Sequence, residues 1–294
     1  MHLISIINSS NLISVGLPVY NGERYIAKAI DSVLGQSHTN FELIISDNGS
    51  TDGTLSILKH YADLDPRIRL LLKSSADDRY SSGWRAYISG AAENFIRVLH
   101  EAKGRYFCWI AHDNFWSPEF LVQSLAMIGD GAGALGGCAI HDHQTGLSTE
   151  LSGMPLISPC QSRLEQIRQM VNGRKHGTPV AIYGLYRREA LLAVAPSLLA
   201  REAFDWSDLY LVASIIAKFG FTIFATKQPL LYFGYEGQYV EKPVNGVSTV
   251  DTIMLTKIRS LKARVFLKEL ISHPRSFLLS ERALRITPQD HHSE

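Results

Sequence analysis

Ile13-Ser-Val-Gly-Leu-Pro-Val-Tyr-Asn-Gly-Glu23 and Phe41-Glu-Leu-Ile-Ile-Ser-Asp-Asn-Gly-Ser-Thr-Asp-Gly53 follow one plan, an apolar run of strand length that breaks into turn residues. After the first, Ile26, Ala29, Ile30, Val33 and Leu34 recur at helical spacing, with Asn21 placed to cap that helix. After the second, Leu55, Leu58 and Tyr61 do the same. The repeated unit is strand, loop, helix. Ile68 to Leu72 supplies a third strand, Ala91 to Ala102 a helix, and Arg105 to Ala111 a fourth strand that ends at His112-Asp113-Asn114. Ser117-Pro-Glu reads as an N-cap with proline at the first position of the next helix. Strands alternating with helices predict an α/β fold, a mostly parallel sheet flanked by helices, with ligands at the carboxyl ends of the strands. Asn21, Asp47 and Asp113 each follow such an end.

Between Lys73 and Gly90 the sequence is polar and irregular, which suggests a surface excursion. The second half is less regular. Ala134 to Ile140 reads as a strand, His141 to Gly146 as a turn, Arg163 to Val171 as a helix and Val180 to Tyr186 as a strand. Asp208 to Phe219 reads as a helix stopped by Gly220, before strands at Phe221 to Ala225 and Leu230 to Phe233. Thr249 to Leu279 is helical in period and rich in lysine and arginine, a packing or oligomer helix with a membrane-surface contact as its alternative. The expected organisation is a regular first half over 1–115, a less regular second half of the same domain over 116–240, and a helical C-terminal extension over 241–294.

The totals narrow the function. A chain of 294 residues, 46% hydrophobic, can bury a large core. Its 29 Lys and Arg against 28 Asp and Glu leave no global field to gather nucleic acid. Cys108, Cys138 and Cys160 lack the count and spacing of a disulfide framework and read as reduced, buried thiols. Met1 to Ser10 has no basic n-region, and Leu209 to Ala225, interrupted by Lys218 and Gly220, falls short of the ~20 apolar residues of a spanning helix. The expectation is a cytoplasmic protein that at most touches a membrane surface.

Pro18-Val-Tyr-Asn-Gly-Glu23, then Ile45-Ser-Asp-Asn-Gly-Ser-Thr-Asp-Gly-Thr54, then Gly104-Arg-Tyr-Phe-Cys-Trp-Ile-Ala-His-Asp-Asn114 resemble, in order and spacing, the family 2 glycosyltransferases with the GT-A fold. The likeness covers the first ~120 residues most strongly. It weakens through Tyr183-Gly-Leu-Tyr-Arg-Arg188 and Asp205-Trp-Ser-Asp208, and it fades beyond Tyr235. The resemblance implies inverting transfer of a sugar from a nucleotide sugar, UDP- or dTDP-linked, to a glycan or lipid-linked acceptor in bacterial surface-polysaccharide assembly.

On that resemblance Asp47 accepts the N3–H of a pyrimidine base, with Asn48 beside it. Pro18, Val19, Tyr20, Asn21 and Glu23 form the opposite wall, and His112 and Asp113 complete the nucleotide site. Asn94 and Arg97 are candidates for the sugar or diphosphate. The family's Asp-x-Asp is reduced here, because Ala111 stands at its first position and Asp113 at its second. Asp113, with Asn114 and Glu236 as further candidates, would hold Mg²⁺ or Mn²⁺ through hard oxygen ligands. The general base is Asp208 or Asp205, and the glutamate usual before the aspartate is Phe204.

His141-Asp-His143 has a metal-like look, but no further ligand lies nearby in sequence, and a turn is the simpler reading. A nicotinamide oxidoreductase would need a G-x-G-x-x-G, which is absent, and a sugar nucleotidyltransferase would need a glycine-rich basic loop after the first strand. The remaining rival is a catalytically degenerate protein that keeps the nucleotide pocket. The C-terminal helices are where a homodimer or a membrane contact would form.

Overall fold

The computed structural model describes residues 11–73, 84–151, 156–158, 160–172, 178–194 and 207–235. The first half runs β1 (Ile13–Val19), α1 (Ile26–Leu34), β2 (Phe41–Asp47), α2 (Thr54–Leu64), β3 (Ile68–Leu72), α3 (Trp84–His100) and β4 (Tyr106–Trp109). Every residue of β1 is buried. It lies between β2 and β4 and parallel to both, with Val19 opposite Asp47 and Gly16 opposite Trp109. β3 pairs with the far side of β2, also parallel. Because parallel neighbours cannot be joined by a tight hairpin, the chain crosses over through a helix each time. The order β3-β2-β1-β4 reverses direction at β1. A crevice opens beyond the carboxyl ends at such a reversal.

The second half adds β5 (Phe115–Trp116), α4 (Phe120–Met127), β6 (Gly133–Leu135), β7 (Cys138–Asp142), β8 (Ser148–Glu150), α5 (Arg163–Asn172), a 3₁₀ segment (Thr178–Tyr183), β9 (Leu185–Arg187), α6 (Arg188–Leu192), α7 (Ser207–Phe219), β10 (Thr222–Ile223) and β11 (Leu231–Tyr235). β9 docks antiparallel between β4 and β6, so the main sheet reads β10-β6-β9-β4-β1-β2-β3. β5, β11, β7 and β8 make a second sheet in that order. One apolar core runs through both halves, from Ile13, Leu17 and Ile44 to Phe120, Tyr186, Ile216 and Phe221.

Several expectations need correction. Ala134 to Ile140 is two strands in two sheets, split at Gly136 and Gly137. A Cβ at Gly136 would sit 2.5 Å from Leu230 Cδ1 and 3.1 Å from Phe224 Cζ, so a side chain where the chain changes sheets would displace its neighbours. Val180 to Tyr186 is 3₁₀ through Tyr183, and only Leu185–Arg187 pairs as strand. His141 belongs to β7, and the turn begins after Asp142, closed by Gly146 N–H on the Asp142 carbonyl. Cys108 and Cys138 are buried, and burial pushes both thiols well up, whereas Cys160 is exposed. The excursion after Lys73 is helical again from Trp84. The extension over 241–294 lies outside the described residues.

Ser117-Pro118 does not cap α4. Its first turn is closed from a distance by Gln36, whose Oε1 accepts the Leu121 N–H at 3.0 Å while its Nε2 donates to the carbonyls of Ser32 and Ser117. Gly220, at φ +83°, does end α7 as expected.

α1 also packs on the second sheet. Lys28 Nζ lies 3.6 Å above the Phe115 ring and 3.1 Å from His141 Nε2. An ammonium only donates, so His141 Nε2 accepts, and the ring proton sits on Nδ1, 2.9 Å from Ser148 Oγ. Burial holds the Lys28 pKa below its usual value. Burial, then the charge of Lys28 and then His143, lower that of His141, with Asp142 opposing. Phe115 contributes only its ring edge to the same histidine.

Two measurements test this packing. A Cβ on Gly16 would meet Phe107 Cζ at 2.6 Å and Val98 Cγ2 at 2.7 Å, because α3 and β4 close on β1 there. Gly16→Val should therefore cost about 1–3 kcal/mol, several degrees in thermal melting. His141 has a depressed folded pKa, so the unfolded chain binds the extra proton first. Its contribution is present above about pH 6.5 and is lost as pH falls through the lower folded value. Melting temperature should fall between about pH 7 and 5, and His141→Asn should flatten that slope; equal slopes would assign the loss to another group.

Candidate functional site

β1 runs on through Pro18 and Val19, two residues beyond the expected strand, and the loop that begins at Tyr20 meets the loop after β2 across the crevice. Asn21 adopts φ +52°, a left-handed conformation that asparagine tolerates better than most residues. That twist turns its backbone N–H to Ser50 Oγ at 2.9 Å and its Oδ1 to the Thr51 N–H at 2.8 Å. Asn21 is therefore a lace between loops and not a helix cap. α1 starts five residues later, with Tyr25 at the cap position. Gly22 N–H donates to Thr54 Oγ1 at 2.8 Å, Glu23 N–H to Asp52, and Gly53 N–H to the Glu23 carboxylate at 2.9 Å. Asn48 N–H donates to the Val19 carbonyl.

Asp47 ends β2 and is 4% exposed. It accepts the Ser50 N–H and hydroxyl, so it holds its own loop. A carboxylate has about four lone-pair positions, which leaves acceptor capacity toward the crevice. Asp52 caps α2 through Thr54. Burial works against its charge, yet bonds from the Thr54 hydroxyl and N–H and from the Glu23 N–H outweigh that and hold its carboxyl below the ordinary range. Tyr20 is 42% exposed at the rim.

On the other side of β1, the turn Ala111 to Asn114 is closed by Asn114 N–H on the Ala111 carbonyl. A Cβ on Gly22 would lie 2.9 Å from the His112 ring, which brings this turn against the first loop. Strands β2 and β4 stand on either side of β1, two strand spacings or about 10 Å apart, so Asp47 and the turn that carries Asp113 flank one loop. Asn114 is 1% exposed and its Oδ1 accepts the Gly234 N–H at 3.0 Å. Its oxygen is engaged in holding β11 rather than turned outward. Asp113 is half-buried, and its backbone carbonyl accepts from His143 Nε2 at 2.9 Å.

Asn94, 6% exposed on α3, donates to the Ser46 carbonyl at 2.8 Å and lies 3.5 Å from that of Val19, bracing the ends of β1 and β2 from below. Arg97 donates to the Leu72 carbonyl at the end of β3. Asp208 lies in the first turn of α7. Asp205 and Glu236 lie outside the described residues. Among the described residues no three His, Cys, Asp or Glu side chains converge as a metal site, and no helix is long and apolar enough to cross a membrane. Sequence reasoning set His141-Asp-His143 aside as a turn and gave Gly234 no role. The spacing His141-x-His143 was the available signal, but its meaning depends on Asp113, thirty residues earlier in the chain.

Comparison with known proteins agrees with this arrangement. TuaG of Bacillus subtilis, provisionally named a teichuronic acid biosynthesis glycosyltransferase, is 36% identical over 118 residues, which cover 40% of this chain and 42% of TuaG. EpsE of the same organism, provisionally named a glycosyltransferase, is 40% identical over 90 residues, 30% of this chain and 32% of EpsE. The chain thus matches less than half the length of these curated relatives. The crystal structure of Staphylococcus aureus TarS 1–349 superposes with a TM-score of 0.53 at 17% identity, covering 94% of this chain and 75% of that one. Its complex with UDP-GlcNAc gives 0.52 at 18% identity, with 91% and 75% covered. At such identities the likeness is one of fold, the GT-A arrangement of a mixed sheet between helices. The model of Glycosyl transferase family 2 matches residues 14–194, more than half of the sequence and all of the laced loops, and the chain belongs to that family.

Proposed function

We propose that this protein transfers a sugar, with inversion, from a UDP- or dTDP-sugar to a hydroxyl of a glycan or lipid-linked acceptor in bacterial surface glycan synthesis, working in the cytoplasm beside the inner membrane. The observation that carries the reading is the lacing of the loop after Val19 to the Asp47–Thr54 loop at the sheet's reversal, with Asp113 in the turn beyond the neighbouring strand β4, in a chain of this family. The names of TuaG and of the UDP-GlcNAc complex of TarS support the glycan and the nucleotide sugar.

In this reading Asp47 accepts the pyrimidine N3–H, Tyr20 covers the base, and Pro18, Val19, Asn21, Glu23, Asn48 and His112 shape the walls. Asn94 serves by fixing the two strand tips, and Arg97 by anchoring α3 to β3. The donor set at Asp113 fits a cation that arrives with the diphosphate better than a resident ion. Asp113 offers one carboxylate, Asn114 Oδ1 already accepts from Gly234, and the diphosphate and water would supply the other oxygens. Bound there, Mg²⁺ or Mn²⁺ offsets charge on the departing diphosphate. Asp208, or Asp205 three residues before it, takes the acceptor's proton as its oxygen attacks the anomeric carbon and the bond to the nucleoside diphosphate breaks.

Turnover of a panel of nucleotide sugars and calorimetry with UDP test the proposal together. Asp113→Ala should remove transfer, a loss of at least about a hundredfold, while thermal melting is preserved. Asp208→Asn should lower kcat more than it raises the donor KM, since a base acts in the transition state. UDP binding with no turnover of any donor would favour the degenerate, binding-only protein, and unchanged rates in both variants would remove these roles.

A further inference from the structure

We infer that His143 is a positioning residue that holds Asp113 for the diphosphate-bound cation, an inference that rests on the transferase reading above. The turn Ala111 to Asn114 carries one carboxylate where two would share the work, so the orientation of the Asp113 peptide decides whether that carboxylate reaches the crevice. Three elements grip it.

The first is the turn after β7. His143 Nε2 is 2.9 Å from the Asp113 carbonyl, which can only accept, so Nε2 carries the proton. The second is the donor loop. The His143 ring stacks on Tyr25, with centroids 4.0 Å apart and planes 14° from parallel. Tyr25 N–H in turn donates to the Gly22 carbonyl, so the histidine joins the first nucleotide loop to the Asp113 turn. The third is β11. Gly234 donates to Asn114 Oδ1, and a Cβ on Gly234 would overlap both the Asp113 carbonyl and His143 Nε2. Behind His143, the His141 ring meets it edge-on at 5.1 Å and is itself held by Lys28 and Ser148. None of this is needed to close the core, because His143 is half-exposed and lies past the end of its strand.

Groups that orient a ligand commonly change affinity or activity 10- to 100-fold when removed. A polar bond and a ring stack make separable demands here. His143→Phe keeps the stack and loses the donor, His143→Gln keeps a donor at about the reach of Nε2 and loses the ring, and His143→Asn places its amide too short. The probe is UDP, titrated by calorimetry in EDTA and again with Mn²⁺, with thermal melting alongside. In wild type Mn²⁺ should raise UDP affinity. That gain should shrink about tenfold or more in the Phe and Asn variants and in Asp113→Asn, survive largely in His143→Gln, and shrink no further in the double variant Asp113→Asn/His143→Phe. UDP affinity in EDTA should be the same in wild type and the three His143 variants. A full Mn²⁺ gain in His143→Phe, or its loss in His143→Gln, overturns the positioning role. If the Phe variant fails to fold, the Gln and Asn pair decides alone. A wild type that binds UDP with no Mn²⁺ gain overturns this role while leaving the nucleotide site standing, and a wild type that binds no UDP and turns over no donor sinks the transferase reading itself.

Discussion

Two loops tied by reciprocal hydrogen bonds govern the rest of the structure. Parallel strands end without a shared turn, so nothing in the sheet itself dictates how the segments beyond β1 and β2 meet. Asn21 resolves this through an unusual backbone angle that aims its N–H and its side-chain oxygen at adjacent residues, Ser50 and Thr51. Ser50 then ties to Asp47, and Glu23 and Asp52 complete the exchange in both directions. A carboxylate tethered in this way needs little reorganisation to receive a partner, and Asn94 secures the strands beneath it.

Much of the first half could be read from the residues because buried parallel strands leave a plain mark. Leu43-Ile-Ile45 is a continuous apolar run, and the run from Ile13 sets Val15, Leu17 and Val19 between Ser14, Gly16 and Pro18, residues small enough to be buried under a covering helix as well. The helices showed through their spacing for the same reason. What escaped the reading was set by partners distant in sequence. Asn21 has the chemistry of a cap, and only the position of Ser50 and Thr51 shows it to be a lace. Ala134 to Ile140 is apolar throughout, and the change of sheet at Gly136 and Gly137 follows from pairing with β9 and β10 on one side and β11 and β8 on the other. His141-x-His143 looked like a turn or a metal pair because its partners, Lys28 and the Asp113 carbonyl, belong to other elements. Ser117-Pro118 matched a local rule that Gln36 overrode.

The acidic turn shows how a reduced motif can still be held in place. With Ala111 and Asn114 on either side, Asp113 is the one carboxylate of its turn. The surrounding elements are correspondingly close. Gly234 is a point where β11 can approach, Asn114 fastens it, and the turn after β7 reaches the same peptide. Fewer charges are matched by more contacts that orient the one remaining.

Gln36 has a consequence for the order in which the chain assembles. Helix α4 has no capping side chain of its own, and the group that receives its Leu121 N–H projects from Gln36, just past the end of α1 and eighty-five residues upstream. As a chain emerges from the ribosome, its leading segments organise first. The opening of α4 then meets a template already in place, and a fragment that begins after β4 would lack the receptor on which its first helix starts.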